Sequence, residues 1–348
     1  KKIMDKKNFT LSLVVPAYNE EESIQAFIDT IDQELAPLRD QLEIVFVNDG
    51  SRDKTRQVIE AVIEKDPRVT LINLARNFGK EAALTAGLFH ARGDAVIPMD
   101  VDLQDPPALI LEFVKLWQTG DYDTVYGIRV DRSADTPMKR LTAGGFYRFF
   151  NALSTSTKLP ENAGDFRLID RKVVEALKQL PERNRFMKGL FAWAGFRAVG
   201  VPYERPARHA GETKFNYWKL WNFALDGLMS FSSWPLRVWS YVGVGVSFIA
   251  FLYILKIITQ VLFFGIDVPG YASLMSVMLF LGGIQLLSLG IIGEYIGRMF
   301  VEVKQRPVYL IEGVYGQYAR QDAGKQPDAA ATQSEKAQDA DKQEPASQ

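Results

Sequence analysis

The residues best suited to chemistry are Met99-Asp100-Val101-Asp102-Leu103-Gln104-Asp105-Pro106-Pro107. Two carboxylates stand one residue apart, an amide oxygen follows two residues later, and a third carboxylate comes next. Such a set of oxygen donors suits a hard divalent cation, and Mg²⁺ binds through one or two carboxylates plus substrate phosphates. A cation held by Asp100, Asp102 and Gln104 would neutralise a pyrophosphate leaving group. A bare D-x-D is also what an acidic helix-capping loop carries, so the elements around it must decide. The double Pro opens a helical pattern, as Pro is tolerated in a first turn, and Asp105 reads as the cap of a helix starting at Pro106.

The run before the motif, Ala95–Met99, is short and apolar like a buried strand. Three similar runs precede it: Leu11–Pro16, Leu42–Val47 and Val69–Asn73. Each ends in a polar cluster: Ala17-Tyr18-Asn19-Glu20, Asn48-Asp49-Gly50-Ser51 and Ala75-Arg76-Asn77-Phe78-Gly79-Lys80. Helical patterns separate them, at Glu21 to Leu35, Asp53 to Glu64 and up to His90. Strands alternating with helices predict a mostly parallel α/β sheet. Ligands bind such sheets at the carboxyl ends of the strands. Tyr18, Glu20, Asp49, Arg76–Lys80 and Asp100–Gln104 should therefore line one crevice, with Glu20 and Asp49 placed for a base or ribose hydroxyls. A helix from Pro107 to Gln118, a strand at Asp123–Gly127, helices at Arg171–Gln179 and Met187–Ala194 and a strand at Phe196–Tyr203 extend the domain.

The chain has 348 residues, a net charge of −1, two His and no Cys. Disulfides, zinc–thiolate sites and cysteine nucleophiles are excluded, and no global charge draws it to nucleic acid. There is no P-loop and no G-x-G-x-x-G, which disfavours an NTPase or a dinucleotide oxidoreductase. The mean hydropathy of −0.07 conceals segregation. Val238–Phe264 and Ser273–Met299 are each long enough to cross about 30 Å of hydrocarbon. Their link, Gly265–Ala272, has no Lys or Arg, whereas Arg237, Arg298, Lys304 and Arg306 flank the pair. The positive-inside rule puts both termini and the preceding domain in the cytoplasm. Lys1–Thr10 lacks the apolar core of a signal peptide.

Aromatic residues crowd the approach to the first span (Trp218, Trp221, Phe223, Phe231, Trp234), so residues 216–236 read as interfacial helices. Gly293-x-x-x-Gly297, with Gly282, Gly283 and Gly290, permits close helix contact within the hairpin or in a homo-oligomer. Glu294 and Arg298 have pairing distance along a helix. Arg306–Ile311 could return a strand to the soluble domain, and residues 317–348 have the composition of a disordered tail. Between crevice and membrane lies a basic set: Arg129, Arg132, Lys139, Arg140, Arg205, Arg208 and Lys214. It suits a phosphate at the membrane surface or anionic headgroups. Asp165, in Gly164-Asp-Phe-Arg167, is a candidate base or orienting residue.

Pro16-Ala-Tyr-Asn-Glu20, Asn48-Asp-Gly-Ser51, Arg76-Asn-Phe-Gly-Lys80, Asp100-Val-Asp-Leu-Gln-Asp-Pro-Pro107, Gly164-Asp-Phe-Arg167 and Gly211-Glu-Thr-Lys214 resemble the polyprenyl-phosphate glycosyltransferases of glycosyltransferase family 2. The resemblance runs from Leu11 to Glu312 and is greatest to the bactoprenol (undecaprenyl-phosphate) glucosyltransferases. It implies a GT-A, Rossmann-like α/β domain over residues 9–215, followed by the two-helix membrane hairpin within 237–300 and a return segment at 301–316. It also implies a divalent metal, Mg²⁺ or Mn²⁺, and inverting transfer from a UDP-sugar to a polyprenyl phosphate at the bacterial inner membrane. Carried over, Asp100, Asp102 and Gln104 hold the metal and diphosphate. Pro16, Ala17, Tyr18, Glu20, Asp49 and Lys80 bind the nucleotide sugar, and Arg129, Arg140, Arg205 and Lys214 contact the lipid phosphate. Asp165 matches the proposed catalytic Asp and acts with Asp102. Asn48 departs from the Asp of many relatives. UDP-glucose is the implied donor; mannose from GDP-mannose, N-acetylglucosamine and a formamido-arabinose stay open, as does, in another class, a non-catalytic membrane scaffold.

Overall fold

A computed structural model describes residues 8–129, 163–183, 185–203, 234–264 and 270–316. The expected interfacial helices over 216–233, the tail at 317–348, Arg140, Arg205 and Lys214 lie outside the described residues.

The chain opens as a run of β-α units. Strand β1 (Leu11–Ala17) leads to helix α1 (Ile24–Glu34), and β2 (Leu42–Asn48) to α2 (Thr55–Ile63). Strand β3 (Val69–Leu74) leads to α3 (Lys80–His90), and β4 (Ala95–Pro98) to α4 (Leu109–Gln118). Then come β5 (Thr124–Arg129), β6 (Ala163–Asp170), α5 (Arg171–Lys178), α6 (Met187–Trp193) and β7 (Ala198–Tyr203). Two long helices, α7 (Trp234–Phe264) and α8 (Tyr271–Val303), precede a last strand, β8 (Ile311–Tyr315).

The eight strands among the described residues form one sheet in the order β7-β5-β6-β4-β1-β2-β3-β8. Strands β1 to β4 pair in parallel, and β5 pairs in parallel with β7. The order reverses at β1: β2 and β3 build outward on one side and β4 crosses to the other. That reversal leaves a crevice at the carboxyl ends of β1 and β4, where such sheets take ligands. The β1–β4 ladder ends at Val14 and Pro98, so Pro16 stands beyond its last rung, where a missing N–H is tolerated.

Strand period two sorts the core into two layers. Leu13, Val15, Ile44, Phe46, Leu71 and Ile97 face α1, α2 and α4, with Phe27, Ile59 and Phe113 packed against them. Val14, Val45, Val47, Ile72 and Val96 face the other way, onto Leu84, Leu88, Val173, Leu177 and Leu190 of α3, α5 and α6. This is a three-layer, Rossmann-like arrangement with a mixed sheet.

Three elements differ from the sequence expectation. Gly164–Leu168 reads as a motif, yet it belongs to an eight-residue strand, β6, inserted antiparallel between β4 and β5. Its apolar residues alternate between layers, Phe166 and Leu168 to one and Ile169 to the other, while Arg167 is buried and hides the pattern. The return strand is real but is Ile311–Tyr315 rather than Arg306–Ile311, antiparallel on β3. The helix after the acidic motif starts at Leu109, with no side-chain cap, rather than at Pro106.

The 31 residues of α7 and 33 of α8 rise about 46 and 50 Å at 1.5 Å per residue, more than the hydrocarbon of a bilayer. Among the described residues, Phe280–Val303 is a 24-residue stretch long and apolar enough to cross a membrane. Phe280, Leu286, Leu289, Ile296 and Phe300 are all exposed, as lipid-facing side chains would be. Glu294 and Arg298 do pair, at 2.7 Å. Where α8 ends, the Glu302 carboxylate accepts the Arg183 N–H with both oxygens, at 2.9 and 3.0 Å. That contact ties the helix end to the segment leading into α6.

Candidate active site

Four loops meet at the crevice. The first two are locked through main chain. Ala17 O accepts the Asp49 N–H at 3.0 Å, Ser51 Oγ accepts the Asn19 N–H at 3.0 Å, and Asn19 Oδ1 accepts the Arg52 N–H at 2.9 Å. Asn19 holds a φ of 55°, a left-handed conformation that Asn tolerates better than most residues. Gly50 has a φ of 64°, and a Cβ there would stand 2.5 Å from Arg76 C and Asn77 N. Only glycine lets the second loop approach the third so closely.

Asp49 is 3% exposed, and its two oxygens accept the N–H groups of Phe78 (2.7 Å) and Gly79 (2.9 Å). The carboxylate therefore organises the start of α3. Burial raises its pKa despite the two amide bonds and nearby Arg76. Tyr18 is exposed, Pro16 half-buried and Ala17 buried. The Glu20 carboxylate accepts Ser23 Oγ at 3.0 Å, and its own N–H bonds Thr55 Oγ1 at 2.8 Å.

At the end of β4, Asp100 is gripped by Lys80: Nζ lies 2.6 Å from Oδ1 and 2.7 Å from Oδ2. An ammonium thus stands where positive charge is wanted. Leu103 takes a φ of 54°, unusual outside Gly and Asn, and Asp102 Oδ1 accepts the Gln104 N–H at 3.2 Å. Among the described residues no three His, Asp or Glu side chains converge as a metal-binding group. The donor set is instead two carboxylates and an amide on one short loop, which fits a cation that takes its remaining ligands from substrate phosphates.

Asp105 has a larger task than capping. It is 6% exposed, accepts Tyr203 Oη–H at 2.5 Å, and lies 3.9 Å from an Arg129 Nη. Arg129 Nε donates to Tyr203 Oη at 3.3 Å. Burial and the Asp105 carboxylate push the Tyr203 phenol up to about 12. The acidic loop is thereby fastened to β5 and β7, which carry the chain into the two basic segments.

Asp165 sits on β6, half-buried, with Lys188 Nζ at 3.6 Å. Burial opposes its ionisation, but Lys188, Lys80, Arg167 and Arg129 outweigh that and hold its pKa below the ordinary carboxylate value. Lys80 feels both Asp100 and Asp165, and these attractions outweigh burial and raise its pKa. The expected metal loop, Lys80, Arg129 and Asp165 thus come together in one electrostatic neighbourhood.

Two participants are not evident in the sequence. Lys188 lies on α6 beside Asp165, and Arg167 stacks on Phe191 of the same helix, 4.4 Å from its centroid. Glu81, in the first turn of α3, accepts the Met187 N–H at 3.2 Å. Burial, with Asp165 nearby, pushes its pKa up to about 7. Its signal was an acidic residue directly after Gly79-Lys80 at a helix start; nothing local indicates that α6 comes to meet it.

The model of glycosyl transferase family 2 matches residues 12–178, and that of the GtrB C-terminal hairpin matches residues 234–299. The SfII prophage-derived bactoprenol glucosyl transferase of Shigella flexneri is 54% identical over 304 residues, 87% of this chain and 97% of that protein. An uncharacterised glycosyltransferase of Synechocystis is 52% identical, covering 88% of this chain and 96% of its own. A solved glucosyl-3-phosphoglycerate synthase from Mycobacterium tuberculosis, in complex with Mn²⁺, UDP-glucose and phosphoglyceric acid, is 21% identical, covers 65% of this chain and 80% of that one, and has a TM-score of 0.44. Fold and site together define a GT-A glycosyltransferase associated with a membrane. The chain belongs to glycosyl transferase family 2, among the members that carry the GtrB C-terminal hairpin.

Proposed function

We propose that the protein transfers glucose from UDP-glucose to undecaprenyl phosphate, with inversion at the anomeric carbon, using Mg²⁺ or Mn²⁺. The observation that carries this reading is the neighbourhood of Lys80, which grips Asp100 on one side and feels Asp165 on the other. One positive group then bridges the place for a departing diphosphate and the place for an arriving phosphate. Relatives named bactoprenol glucosyl transferase, matched over nearly their whole length, supply the sugar and the lipid.

Asp100, Asp102 and Gln104 would hold the cation, whose charge stabilises the diphosphate as the glycosidic bond breaks. Tyr18 and Glu20 face the nucleotide, and Asp49 shapes its pocket by fixing the Phe78–Gly79 turn. A lipid phosphate monoester has a second pKa of about 6 and is mostly dianionic near neutrality. Its oxygen can attack the anomeric carbon without a base. Asp165 therefore orients the acceptor and balances the charge of Lys188, Lys80, Arg167 and Arg129, which draw the phosphate into line. Arg140, Arg205 and Lys214 add phosphate contacts. Helices α7 and α8 both cross the bilayer, with the catalytic domain and both termini cytoplasmic, and the glycine-bearing face of α8 serves a homo-oligomer.

The test is a lipid-transfer assay. Detergent-solubilised protein is incubated with undecaprenyl phosphate and labelled UDP-glucose, GDP-mannose, UDP-N-acetylglucosamine or UDP-4-formamido-arabinose, with and without chelator. Label should reach lipid from UDP-glucose only, and chelator should abolish it. Transfer without metal sinks the metal assignment, and transfer from another donor replaces the sugar. No nucleotide release with any donor leaves the scaffold reading. Asp165→Asn should lose activity at every pH; recovery at high pH through acceptor ionisation alone would make Asp165 a base instead.

A further inference from the structure

The strand that follows the membrane helices reaches the nucleotide loop through a chain of buried amides. Glu312 of β8 accepts Asn73 Nδ2 with Oε2 at 2.7 Å. Asn73 Oδ1 accepts Asn48 Nδ2 at 2.5 Å, and Asn48 Oδ1 accepts the Ser51 N–H at 3.2 Å. Ser51 Oγ in turn accepts the Asn19 N–H. Asn48 and Asn73 are each 3% exposed, so water does not compete for their amides. An amide has a donor end and an acceptor end, and a carboxylate only accepts. With Glu312 at one end, Asn73 must turn its Nδ2 outward and present Oδ1 to Asn48. Asn48 must then donate to Asn73 and keep its oxygen for the Ser51 N–H. The acceptor at Glu312 and the Ser51 N–H donor at the other end agree on one direction for the whole chain.

We propose that Glu312 is a positioning residue for the donor site, fixing the Asn48–Ser51 loop through the ordered amides of Asn73 and Asn48. The proposal deepens the reading that this loop binds the nucleotide, and it rests on that reading. It makes the return strand part of the donor site although more than 230 residues separate them. Arg56 also bonds Glu312, through Nη1 at 3.3 Å, and Tyr315 Oη at 2.6 Å, so it fastens the same strand without entering the chain.

The experiment uses full-length protein in detergent and reads UDP affinity by calorimetry, the KM values for UDP-glucose and lipid phosphate, and amide exchange of the peptide containing Ser51. Glu312→Gln keeps an acceptor and should stay within about twofold of the parent. Glu312→Leu should weaken UDP several-fold, the order expected for one lost hydrogen bond between a buried amide and a half-exposed carboxylate. It should also speed Ser51 exchange and leave the lipid KM unchanged. Arg56→Gln, which removes the same surface ion pair, should leave UDP affinity alone. The decisive arm is a swap. Asn48→Asp only accepts, so Asn73 must flip and turn its oxygen on Glu312; UDP binding should fall about tenfold. Adding Glu312→Gln supplies a donor to the flipped Asn73 and should restore most of that loss. A general loss of packing cannot produce that rescue. The proposal is overturned if Glu312→Leu leaves UDP affinity and Ser51 exchange at parental values, or if the double variant is no better than Asn48→Asp. Parent protein that binds no UDP overturns the donor reading itself, while Ser51 exchange still decides whether Glu312 orders the chain.

Discussion

The two halves of the crevice are built on different physics. On the β1–β4 side, polar groups are held by main-chain dipoles: Asp49 by two amides, Ser51 by Asn48, Asn19 by Ser51 and Arg52. On the β5–β7 side the glue is net charge: Asp165 with Lys188, and Lys80, Arg167 and Arg129 around it. Main-chain hydrogen bonds are short-ranged and insensitive to salt, and they preserve one shape. Charges act over a longer range and respond to pH, and those at the exposed rim, such as Lys80, are also screened over a Debye length of about 8 Å at physiological salt. The difference suits the proposed division of labour, with a nucleotide recognised in detail on the first side and a lipid phosphate attracted from a surface on the second.

The largest effect should come where the two halves meet. Asp100→Asn and Asp102→Asn remove charge from the proposed metal loop while keeping its volume. Transfer should fall by about 10² to 10³-fold, the range for losing one electrostatic stabiliser of a transition state. Both side chains are at least partly exposed, so melting temperature should hold. A variant that loses stability in proportion to activity would make this loop a structural cap after all. Asp49 should behave in the opposite way. Asp49→Ala orphans the buried amides of Phe78 and Gly79, at about 1–3 kcal/mol per unsatisfied group. Melting temperature and donor KM should therefore suffer together, with Asp49→Asn in between because it keeps one acceptor oxygen. If Asp49→Ala raised donor KM with melting unchanged, Asp49 would be a direct ligand rather than a scaffold.

The contrast also explains what the sequence discloses. The β1–β4 half is legible because each short apolar run ends in its own polar cluster, so strand and site are read in one place. Strand β6 is harder to see because Arg167, buried by stacking on Phe191, interrupts its alternation. The task of Asp105 depends on Tyr203, 98 residues away, and no local pattern carries that distance. Glu81 and Lys188 become neighbours of Asp165 only because α6 packs across the end of α3. The apolar character of α7 and α8 is legible from composition alone, yet the Glu302 contact at the end of α8 is not.

A pH series should divide the halves further. Glu81 titrates near 7 in the folded protein against an ordinary value of 4.5, so the native state holds more protons than the unfolded chain across that interval. Stability therefore falls as pH rises, with the contribution complete below about 4.5 and lost on passing 7. Ionised Glu81 also adds a second anion beside Asp165, the place proposed for the acceptor phosphate. Between pH 5.5 and 8.5, values chosen to span about 7, lipid KM should rise several-fold more in the parent than in Glu81→Gln, and donor KM should move alike in both. Equal lipid profiles would remove Glu81 from the acceptor side.

The smallest effect should lie at the junction with the membrane. Glu302 accepts one N–H with two oxygens, at the end of α8, and the bonded residue, Arg183, lies four positions before Met187, where α6 begins. Helix α6 carries Lys188, which pairs with Asp165, so the Glu302 contact lies close in sequence to the helix that reaches Asp165. Glu302→Gln retains an acceptor oxygen and should be close to neutral. Glu302→Ala leaves Arg183 N–H to find water, which a partly exposed group can do at a cost of about 0.5–1.5 kcal/mol. The expected result is a two- to tenfold rise in lipid KM, with UDP affinity and the pH profile of donor KM unchanged. A donor-side effect of equal size would mean that the membrane helix acts on the whole domain. The division between a dipole-held donor side and a charge-held acceptor side would then fail at its most distant point of contact.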